Sequence, residues 1–226
     1  MEIKIMKKVL DANETVAEKN RKIFAEKNVF VLNVMSSPGS GKTEVLHKTL
    51  KKIMPQIKTA VIVGDICTTN DADRLAVSGA LAIQINTDKF GGDCHLSAGM
   101  IEKTAGTLDL ASLDLLIVEN IGNLVCPAEF DIGEDARVVL LSVTEGEDKP
   151  LKYPLMFRLA DAVLLNKIDL IPYLDFDKKE ALNNMYKVHS QMPVFEISAK
   201  TGSQVPYIRI NSLSYNSCPI YDKLFM

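Results

Sequence analysis

The segment that most restricts the fold is a glycine-rich loop between an apolar run and a helical pattern. The run VFVLNVM, which begins at Val29, leads into Ser36-Ser37-Pro38-Gly39-Ser40-Gly41-Lys42-Thr43, and a helical pattern follows. Nucleotide-binding proteins with a phosphate loop place G-x-x-x-x-G-K-[ST] between a strand and a helix in this way. Ser36 stands where that pattern has its first glycine, and the rest of the pattern is present. The chain is therefore predicted to bind a nucleotide.

Each residue type in this loop has a chemical task. Gly39 and Gly41, on either side of Ser40, let backbone N–H groups turn toward phosphate oxygens. Lys42 supplies a positive charge for the β- and γ-phosphates, and the Thr43 hydroxyl can bind Mg²⁺. The start of the following helix adds its dipole. We expect all of these residues to bind the nucleotide and Lys42 also to act in catalysis.

The rest of the chain alternates apolar, strand-like runs with helical stretches. The runs lie at 29–35, 60–63, 81–85, 113–118, 138–143, 162–165 and 194–197. Strands that are apolar on both faces and alternate with helices indicate a mostly parallel sheet covered on both sides. We predict an α/β fold of three layers, typical of P-loop NTPases. An amphipathic helix is expected within 1–28, packed on a nucleotide-binding domain at 29–202, with an irregular tail at 203–226.

Composition and charge limit the partners of the chain. Charged residues make up 24% of the 226 residues and the net charge is −3, so no basic surplus is available to hold nucleic acid. No apolar run approaches the roughly 18–20 residues that span a bilayer. The N-terminal segment is charged throughout and lacks the apolar stretch of a signal peptide. We expect a cytoplasmic protein that binds neither nucleic acid nor membranes.

A second motif predicts which base the nucleotide carries. Asn166-Lys167-Ile168-Asp169 ends an apolar run, and Ser198-Ala199-Lys200 ends a later one. Asp169 can accept hydrogen bonds from N1–H and the 2-amine of guanine, which adenine lacks. Asn166 suits the N7/O6 edge, the Lys167 stem can lie over the ring, and a backbone N–H of the later loop can reach O6. The motifs together predict GTP rather than ATP.

Acidic residues at strand ends are candidates for the segments that respond to the γ-phosphate. Glu119 ends the run LLIVE, and Gly122 follows three residues later. In GTPases an acid here reaches Mg²⁺ and the glycine N–H senses the γ-phosphate, so both are predicted to act in catalysis. Asp65 is the first candidate for orienting Mg²⁺ or the attacking water and Asp71 the second, although Asp71 can equally be an acid that favours a helix dipole. Asn123 takes the place of the usual water-orienting glutamine, which predicts slow hydrolysis.

Cysteine and histidine form a possible second metal site. Cys94 and His95 are adjacent after two glycines, and Cys126 follows Gly122 by four residues. Two thiolates and an imidazole suit Ni²⁺ or Zn²⁺. Three such ligands leave a position open, or the site is shared between two subunits. Because Cys126 lies in the segment that moves when the γ-phosphate is lost, a metal there would be sensitive to the nucleotide state.

Several longer segments together resemble one family. The segments VLNVMSSPGSGKT, GDICTTNDADRL, VENIGNLVCPAEFDIGE, VVLLSVTEGEDKPLKYPLMFRLAD, VLLNKIDLIPY and SAKTG resemble, in this order, the hydrogenase nickel-incorporation GTPases of the HypB family. The resemblance covers roughly residues 8–202. It implies a P-loop GTPase of the SIMIBI class that binds GTP and GDP with Mg²⁺, hydrolyses GTP and forms a homodimer with GTP. It also implies a metallochaperone that helps to deliver nickel to the large subunit of [NiFe] hydrogenase.

The resemblance also carries site residues and partners. It implies that Cys94, His95 and Cys126 bind Ni²⁺ or Zn²⁺ at the dimer interface, and that Lys149 or Lys152 reaches the nucleotide of the other subunit. The expected partners are a nickel-handling accessory protein and the hydrogenase large subunit. Two alternatives stay open. One is a GTP-switched scaffold with a structural metal, and the other is a urease-type nickel GTPase, against which the segment LVCPAEFD argues.

Overall fold

The computed structural model of the chain describes residues 2–54, 56–65, 70–87 and 94–203. The predicted irregular tail lies, from residue 204 on, outside the described residues. Within the described ranges, no helix combines the length and the apolar character that crossing a membrane requires.

A parallel sheet forms the centre of the fold. Over the described residues it has seven strands in the order β3-β2-β4-β1-β5-β6-β7, and all pairings between them are parallel. The strands are β1 (Phe30–Ser36), β2 (Thr59–Asp65), β3 (Leu81–Asn86), β4 (Leu115–Glu119), β5 (Ala136–Ser142), β6 (Ala162–Asn166) and β7 (Val194–Glu196). Each overlaps one of the apolar runs, so the predicted mostly parallel sheet is confirmed. Since all strands run the same way, their carboxyl ends meet at one edge of the sheet.

Helices cover both faces of this sheet. They are α1 (Glu2–Glu26), α2 (Lys42–Ile53), α3 (Asn70–Ala76), α4 (Ala98–Ala105), α5 (Cys126–Glu129), α6 (Lys149–Lys152), α7 (Pro154–Arg158) and α8 (Lys178–Val188), with 3₁₀ turns at Leu110–Ser112 and Ile168–Tyr173. The short helices α5, α6 and α7 each have proline in the first turn, where its missing N–H costs no helical hydrogen bond. They are too short to show an apolar period, and the sequence pattern did not predict them.

Alternating strand residues bury two apolar surfaces. Leu32 and Val63 point to the face covered by α2 and α3, where they pack with Leu50 and Leu75. The opposite face buries a second set of strand residues against α1 and α4, and a third set against α7 and α8. In the second set, Val31, Ile62 and Val118 pack with Phe24 and Ile101. In the third set, Val139 and Leu165 pack with Phe157 and Met185. The predicted three-layer α/β fold is therefore confirmed.

Helix α1 is tied to the start of α4 and to the turn before β5. The buried Asn20 side chain donates through Nδ2 to the carbonyl oxygens of Ala98 at 2.9 Å and Ile132 at 3.1 Å. A Cβ at Gly133, whose φ is +89°, would lie 2.7 Å from the Ala17 carbonyl oxygen, so the turn approaches the helix too closely for a side chain. The helix thus holds the backbone from which α4 begins.

Candidate functional site

The phosphate loop connects β1 to α2, as predicted. Gly41 has φ +100°, and a Cβ there would lie 2.6 Å from Asn166 Nδ2, so both conformation and space require glycine. Lys42 Nζ donates to Ser36 Oγ at 2.8 Å, and Ser40 Oγ donates to the same atom at 2.5 Å. The serine that replaces the first glycine of the general pattern thus holds the loop lysine in place.

A cavity of about 380 Å³ opens over this loop at the carboxyl ends of β1, β2 and β4. Parallel α/β sheets bind ligands at this edge. Of the residues predicted to bind phosphate or Mg²⁺ or to act in hydrolysis, the structure places these around the cavity: Gly39, Gly41, Lys42, Thr43, Asp65, Asp71, Glu119 and Gly122. Burial lowers the pKa of Lys42, and the charge of Glu119 opposes this shift.

Glu119 has the features of a cation ligand. Its side chain is buried, and Oε1 accepts a hydrogen bond from the Thr43 hydroxyl at 2.7 Å. Oε2 is buried without a hydrogen-bond partner among the described residues. Burial raises the pKa of this carboxyl to about 7, although Thr43 and Lys42 act in the opposite direction. A hydroxyl and a carboxylate with an unsatisfied oxygen fit a hard cation such as Mg²⁺.

Asp65 and Asp71 also line the cavity. Asp65 ends β2, and Asp71 lies in the first turn of α3. Asp71 Oδ1 is 3.9 Å from Arg74 Nη1, and Arg74 Nη2 is 2.7 Å from Glu44 Oε2. Asp71 therefore combines both predicted features, since it faces the cavity and also lies at a helix start.

The segment after β4 packs on the phosphate loop without room for a side chain. A Cβ at Gly122 would lie 2.9 Å from Pro38 Cα. A Cβ at Gly64, the next-to-last residue of strand β2, would lie 2.9 Å from the Leu96 side chain and 3.1 Å from Ile121. This segment therefore lies close to the phosphate loop, and its Ile121 and the Leu96 that follows His95 both lie close to Gly64.

The residues predicted to bind guanine meet at the carboxyl end of β6. Asn166 Nδ2 donates to the Ser40 carbonyl at 2.9 Å, and its Oδ1 accepts from the Ala199 N–H at 3.1 Å. Lys167, with φ +63°, donates through Nζ to the Gly39 carbonyl at 2.8 Å. Both side chains thus join the predicted base site to the phosphate loop.

Asp169 is held by the loop that follows β7. Its Oδ1 accepts a hydrogen bond from the buried Ser198 hydroxyl at 2.5 Å, and the same hydroxyl accepts from the Thr201 N–H at 3.2 Å. The side chain of Lys200, in the same loop, is exposed. The loop therefore fixes the direction of the Asp169 carboxylate.

The predicted Cys and His ligands converge on one point. The candidate ligand atoms of Cys94, His95 and Cys126 all lie within 4.8 Å of one another, and the two sulfur atoms are 2.6 Å apart. All three residues are half-buried. The His95 ring stacks on Phe130, with centroids 3.7 Å apart and an angle of 25°. Two thiols and an imidazole grouped this closely could hold a transition metal ion.

Two further features define the surroundings of Cys126. Burial raises the pKa of its thiol to about 11, and the Cys94 thiol adds to the shift. Asn123 accepts hydrogen bonds through Oδ1 from the N–H groups of Val125 at 2.7 Å and Cys126 at 3.4 Å, and its Nδ2 lies 3.5 Å from Cys126 Sγ. In the sequence, Asn123 stands out only as the residue in place of the usual glutamine. Its position three residues before a cysteine at a helix start is the signal that could have found it.

Glu145 is another site residue that the sequence motifs do not reveal. It accepts hydrogen bonds from the Ser37 hydroxyl and from the Ser142 N–H, the latter at 2.9 Å. It thereby joins the phosphate loop to the end of β5. The signal was its place in the segment TEGEDKPLKYP, directly after an apolar run.

Comparison with known proteins agrees with this arrangement. Residues 30–196 match the family model for the CobW/HypB/UreG nucleotide-binding domain. The hydrogenase maturation factor HypB of Escherichia coli K12 is 50% identical over 194 residues, which are 86% of this chain and 66% of that protein. The chain thus spans just under two thirds of the length of the E. coli relative. The hydrogenase/urease maturation factor HypB of Helicobacter pylori J99 is 42% identical over 205 residues, covering 88% of this chain and 82% of that protein.

Solved structures give the same result. HypB from Helicobacter pylori, in complex with nickel, aligns with a TM-score of 0.78 and 42% identity over 84% of this chain and 87% of that one. HypB from Archaeoglobus fulgidus aligns with a TM-score of 0.79 and 36% identity over 85% and 93%. From its family-model match, its identity to relatives and its structural similarity, we conclude that the chain belongs to the HypB family.

Proposed function

We propose that this chain is a GTP-hydrolysing metallochaperone that binds nickel and assists its insertion into the large subunit of [NiFe] hydrogenase. One observation carries this proposal. The Cys94, His95 and Cys126 cluster lies next to the segment 119–122, which also lines the cavity over the phosphate loop. The nickel complex of the H. pylori relative supports the assignment of nickel as cargo.

When the phosphate loop binds the GTP phosphates, it would lose a hydrogen bond between two of its own side chains. Lys42 gives up its hydrogen bond to Ser36 and takes the β- and γ-phosphates, while the backbone N–H groups of residues 39–41 surround the oxygens. Thr43 and Glu119 would hold Mg²⁺, which neutralises phosphate charge. The otherwise unsatisfied Glu119 Oε2 supports this role.

The base site fits guanine. Asp169, fixed by Ser198, accepts hydrogen bonds from N1–H and the 2-amine. One N–H of Asn166 is used by the Ser40 carbonyl, and the second is the donor that we assign to N7. Because the Ala199 N–H already donates to Asn166, we assign the contact with O6 to the Lys200 N–H.

Hydrolysis needs a water molecule opposite the bond that breaks. Asp65 remains our first choice for orienting it and Asp71 our second, since both face the cavity. The Gly122 N–H is the group that we assign to the γ-phosphate. With Asn123 occupied by the backbone before α5, no side chain takes the place of the usual glutamine among the described residues of this segment, and slow turnover is the expected consequence.

Nickel would be bound by the thiol and imidazole ligands of the protein, and this binding would release protons. Since the Cys126 thiol has a pKa of about 11, binding must displace its proton, and affinity rises with pH. Zn²⁺ suits the same ligands. The three ligands leave coordination positions for a second subunit, for the accessory protein that supplies nickel or for the hydrogenase large subunit that receives it.

We further propose that GTP promotes a cytoplasmic homodimer. Lys149 lies beside Pro38 and Gly122 at a hollow of about 230 Å³. Lys152 Nζ is instead paired with Asp148 Oδ2 at 2.6 Å. Of the two lysines considered, Lys149 is therefore the one we assign to the nucleotide of the other subunit. In this arrangement the helix within residues 1–28 packs on the GTP-binding domain at 29–202.

A single pair of assays tests the proposal. GTP hydrolysis and nickel stoichiometry are measured for the wild type and for Cys126→Ser, with Cys218→Ser as a matched cysteine control. We expect Cys126→Ser to lose nickel binding and to keep GTP hydrolysis within about threefold, while Cys218→Ser keeps both. A Cys126→Ser protein that binds nickel as the wild type does would instead favour the scaffold with a structural metal elsewhere.

A further inference from the structure

Asn120 joins the metal cluster, by which we mean the candidate ligands Cys94, His95 and Cys126, to the segment 119–122 at the nucleotide cavity. It is fully buried between Glu119, at the end of β4, and Ile121. Its Oδ1 accepts hydrogen bonds from the Ile121 N–H at 3.0 Å and from the Leu96 N–H at 3.2 Å. Leu96 directly follows His95 in the chain. One carboxamide oxygen therefore binds the backbone of both segments.

The orientation of this carboxamide is fixed by its surroundings. Two backbone N–H groups converge on one of its atoms, which must therefore be the oxygen. Its Nδ2 donates to Asn33 Oδ1 at 3.2 Å, and Asn33 Nδ2 donates to Glu134 Oε1 at 3.1 Å. The Asn120 N–H donates to the Val34 carbonyl at 3.0 Å. Asn120 is thus held by β1, while its oxygen faces the two segments.

Side-chain packing follows the same path. Leu96 and Ile121 are both buried, and both would lie within about 3 Å of a Cβ at Gly64. A shift of Ile121 toward or away from the γ-phosphate changes the space that Leu96 occupies and the direction of the shared oxygen. Close-packed interiors transmit such shifts because they have few voids.

We propose that Asn120 is the positioning residue through which the nucleotide state reaches the Cys94–His95 side of the metal cluster. Asn120 does not contact the metal in this assignment. It sets where the backbone after His95 stands relative to the segment that senses the γ-phosphate. The biological meaning of this link rests on the proposed function, but its test requires no metal. By linkage, the factor by which the nucleotide changes metal affinity through this link equals the factor by which a metal that fixes residues 94–96 changes nucleotide affinity.

The first test follows amide hydrogen exchange in the metal-free wild type, residue by residue, with GDP and with a non-hydrolysable GTP analogue. The amides of Leu96 and Ile121 share one acceptor, so exchanging the nucleotide is expected to change their protection together. A response at Ile121 alone, or at neither amide, overturns the proposal. This measurement needs no variant and is therefore independent of any folding defect.

The second test uses Asn120→Ala, with Asn120→Asp and Asn33→Ala as controls. Asn120→Asp keeps an oxygen for both amides, and Asn33→Ala disturbs the same buried network while leaving those two bonds intact. We expect the nucleotide response at residues 94–96 to fall at least about fivefold in Asn120→Ala, the lower end of common coupling factors, and to persist in both controls. An unchanged response in folded Asn120→Ala, or an equal loss in Asn33→Ala, contradicts the assignment.

The same samples separate this proposal from the proposed function. Nickel titration and GTP hydrolysis are measured on the wild type in parallel. A protein that binds no nickel but shows the paired response of Leu96 and Ile121 overturns the metallochaperone function and retains the Asn120 link. If nickel affinity depends on the nucleotide but the exchange protection of the Leu96 amide does not change with it, the Asn120 link is overturned and the proposed function is retained.

Discussion

The Thr43 hydroxyl donates a hydrogen bond to Glu119 Oε1 at 2.7 Å, joining the start of α2 to the end of β4. The register of the sheet explains this contact, because Val34 in β1 lies opposite Glu119 in β4. The phosphate loop follows β1 directly, so its last residue turns back over the end of β4. The other carboxylate oxygen, Oε2, stays buried without a hydrogen-bond partner among the described residues.

The raised pKa of Glu119 predicts a pH dependence of stability. The folded protein keeps a proton on this carboxyl up to about pH 7, whereas an unfolded chain releases it near the ordinary value of 4.5. Stability from this group is therefore full below pH 4.5 and is lost as the pH rises through 7. Between pH 5.5 and 8 the free energy of unfolding should fall by about 2 kcal/mol.

The variant Glu119→Gln tests this expectation, because the amide keeps an acceptor for Thr43 and cannot ionise. Urea unfolding without metal or nucleotide should show the variant gaining about 2 kcal/mol of stability relative to the wild type between pH 5.5 and pH 8, because only the wild type titrates. Added Mg²⁺ at pH 8 should stabilise the wild type more than the variant. Parallel pH profiles for the two proteins would show that Glu119 is not the titrating group.

Gly122→Ala should disturb the contact between the nucleotide segment and the phosphate loop. A Cβ there would lie 2.9 Å from Pro38 Cα, which belongs to the backbone and cannot easily move away. We expect the free energy of unfolding to fall by about 1–3 kcal/mol. The affinity for GTP should fall more than the affinity for GDP, because the Gly122 N–H is assigned to the γ-phosphate. Calorimetric binding and urea unfolding measure both.

Gly99→Ala is the matched control for this change. Gly99 lies in α4, and a Cβ there meets nothing within 4 Å. The control should be neutral or stabilising by about 0.5–1 kcal/mol, with nucleotide binding unchanged. If both variants behave alike, the tight packing at Gly122 has no energetic consequence.

Asp169→Asn should change the choice of base. The amide keeps one oxygen acceptor for N1–H but presents an N–H in place of the second acceptor, so guanine loses the partner of its 2-amine, while xanthine, with a carbonyl at C2, gains a donor. We expect GTP affinity to fall about 100-fold and xanthosine triphosphate to bind better than GTP. Competition of GTP and of xanthosine triphosphate against a fluorescent GDP analogue measures which of the two binds more tightly. Undiminished GTP affinity would show that the base binds elsewhere.

The parts of the fold and site that sequence could predict are those with a local signal. The loop around Lys42 and the motif around Asn166 were visible because spacing within a few residues defines them, and each apolar run became a strand. The buried network around Asn120 was not visible, because its members come from β1, the end of β4 and the stretch before α4. Its hydrogen bonds join residues as far apart in sequence as Asn33 and Glu134.

Two asparagine side chains also have roles beyond those that the sequence motifs indicate. Asn166 was expected only at the guanine edge, yet its amide joins the phosphate loop to the loop around Ala199. Asn123 was noted only for not being glutamine, yet it supports the backbone from which Cys126 begins α5. Asn166 satisfies buried backbone groups that only the tertiary structure brings to it, whereas Asn123 binds the backbone two and three residues later in the chain.

The most direct test of the central claim is a nickel titration of the protein loaded with GDP and then with a non-hydrolysable GTP analogue, following affinity and subunit mass together. The claim predicts that nickel affinity or stoichiometry changes with the nucleotide, and that a dimer appears with the GTP analogue and binds about one nickel per shared Cys94–His95–Cys126 site. Nickel binding that is absent, or identical with both nucleotides, would contradict coupling between GTP and nickel and leave a GTP-dependent scaffold.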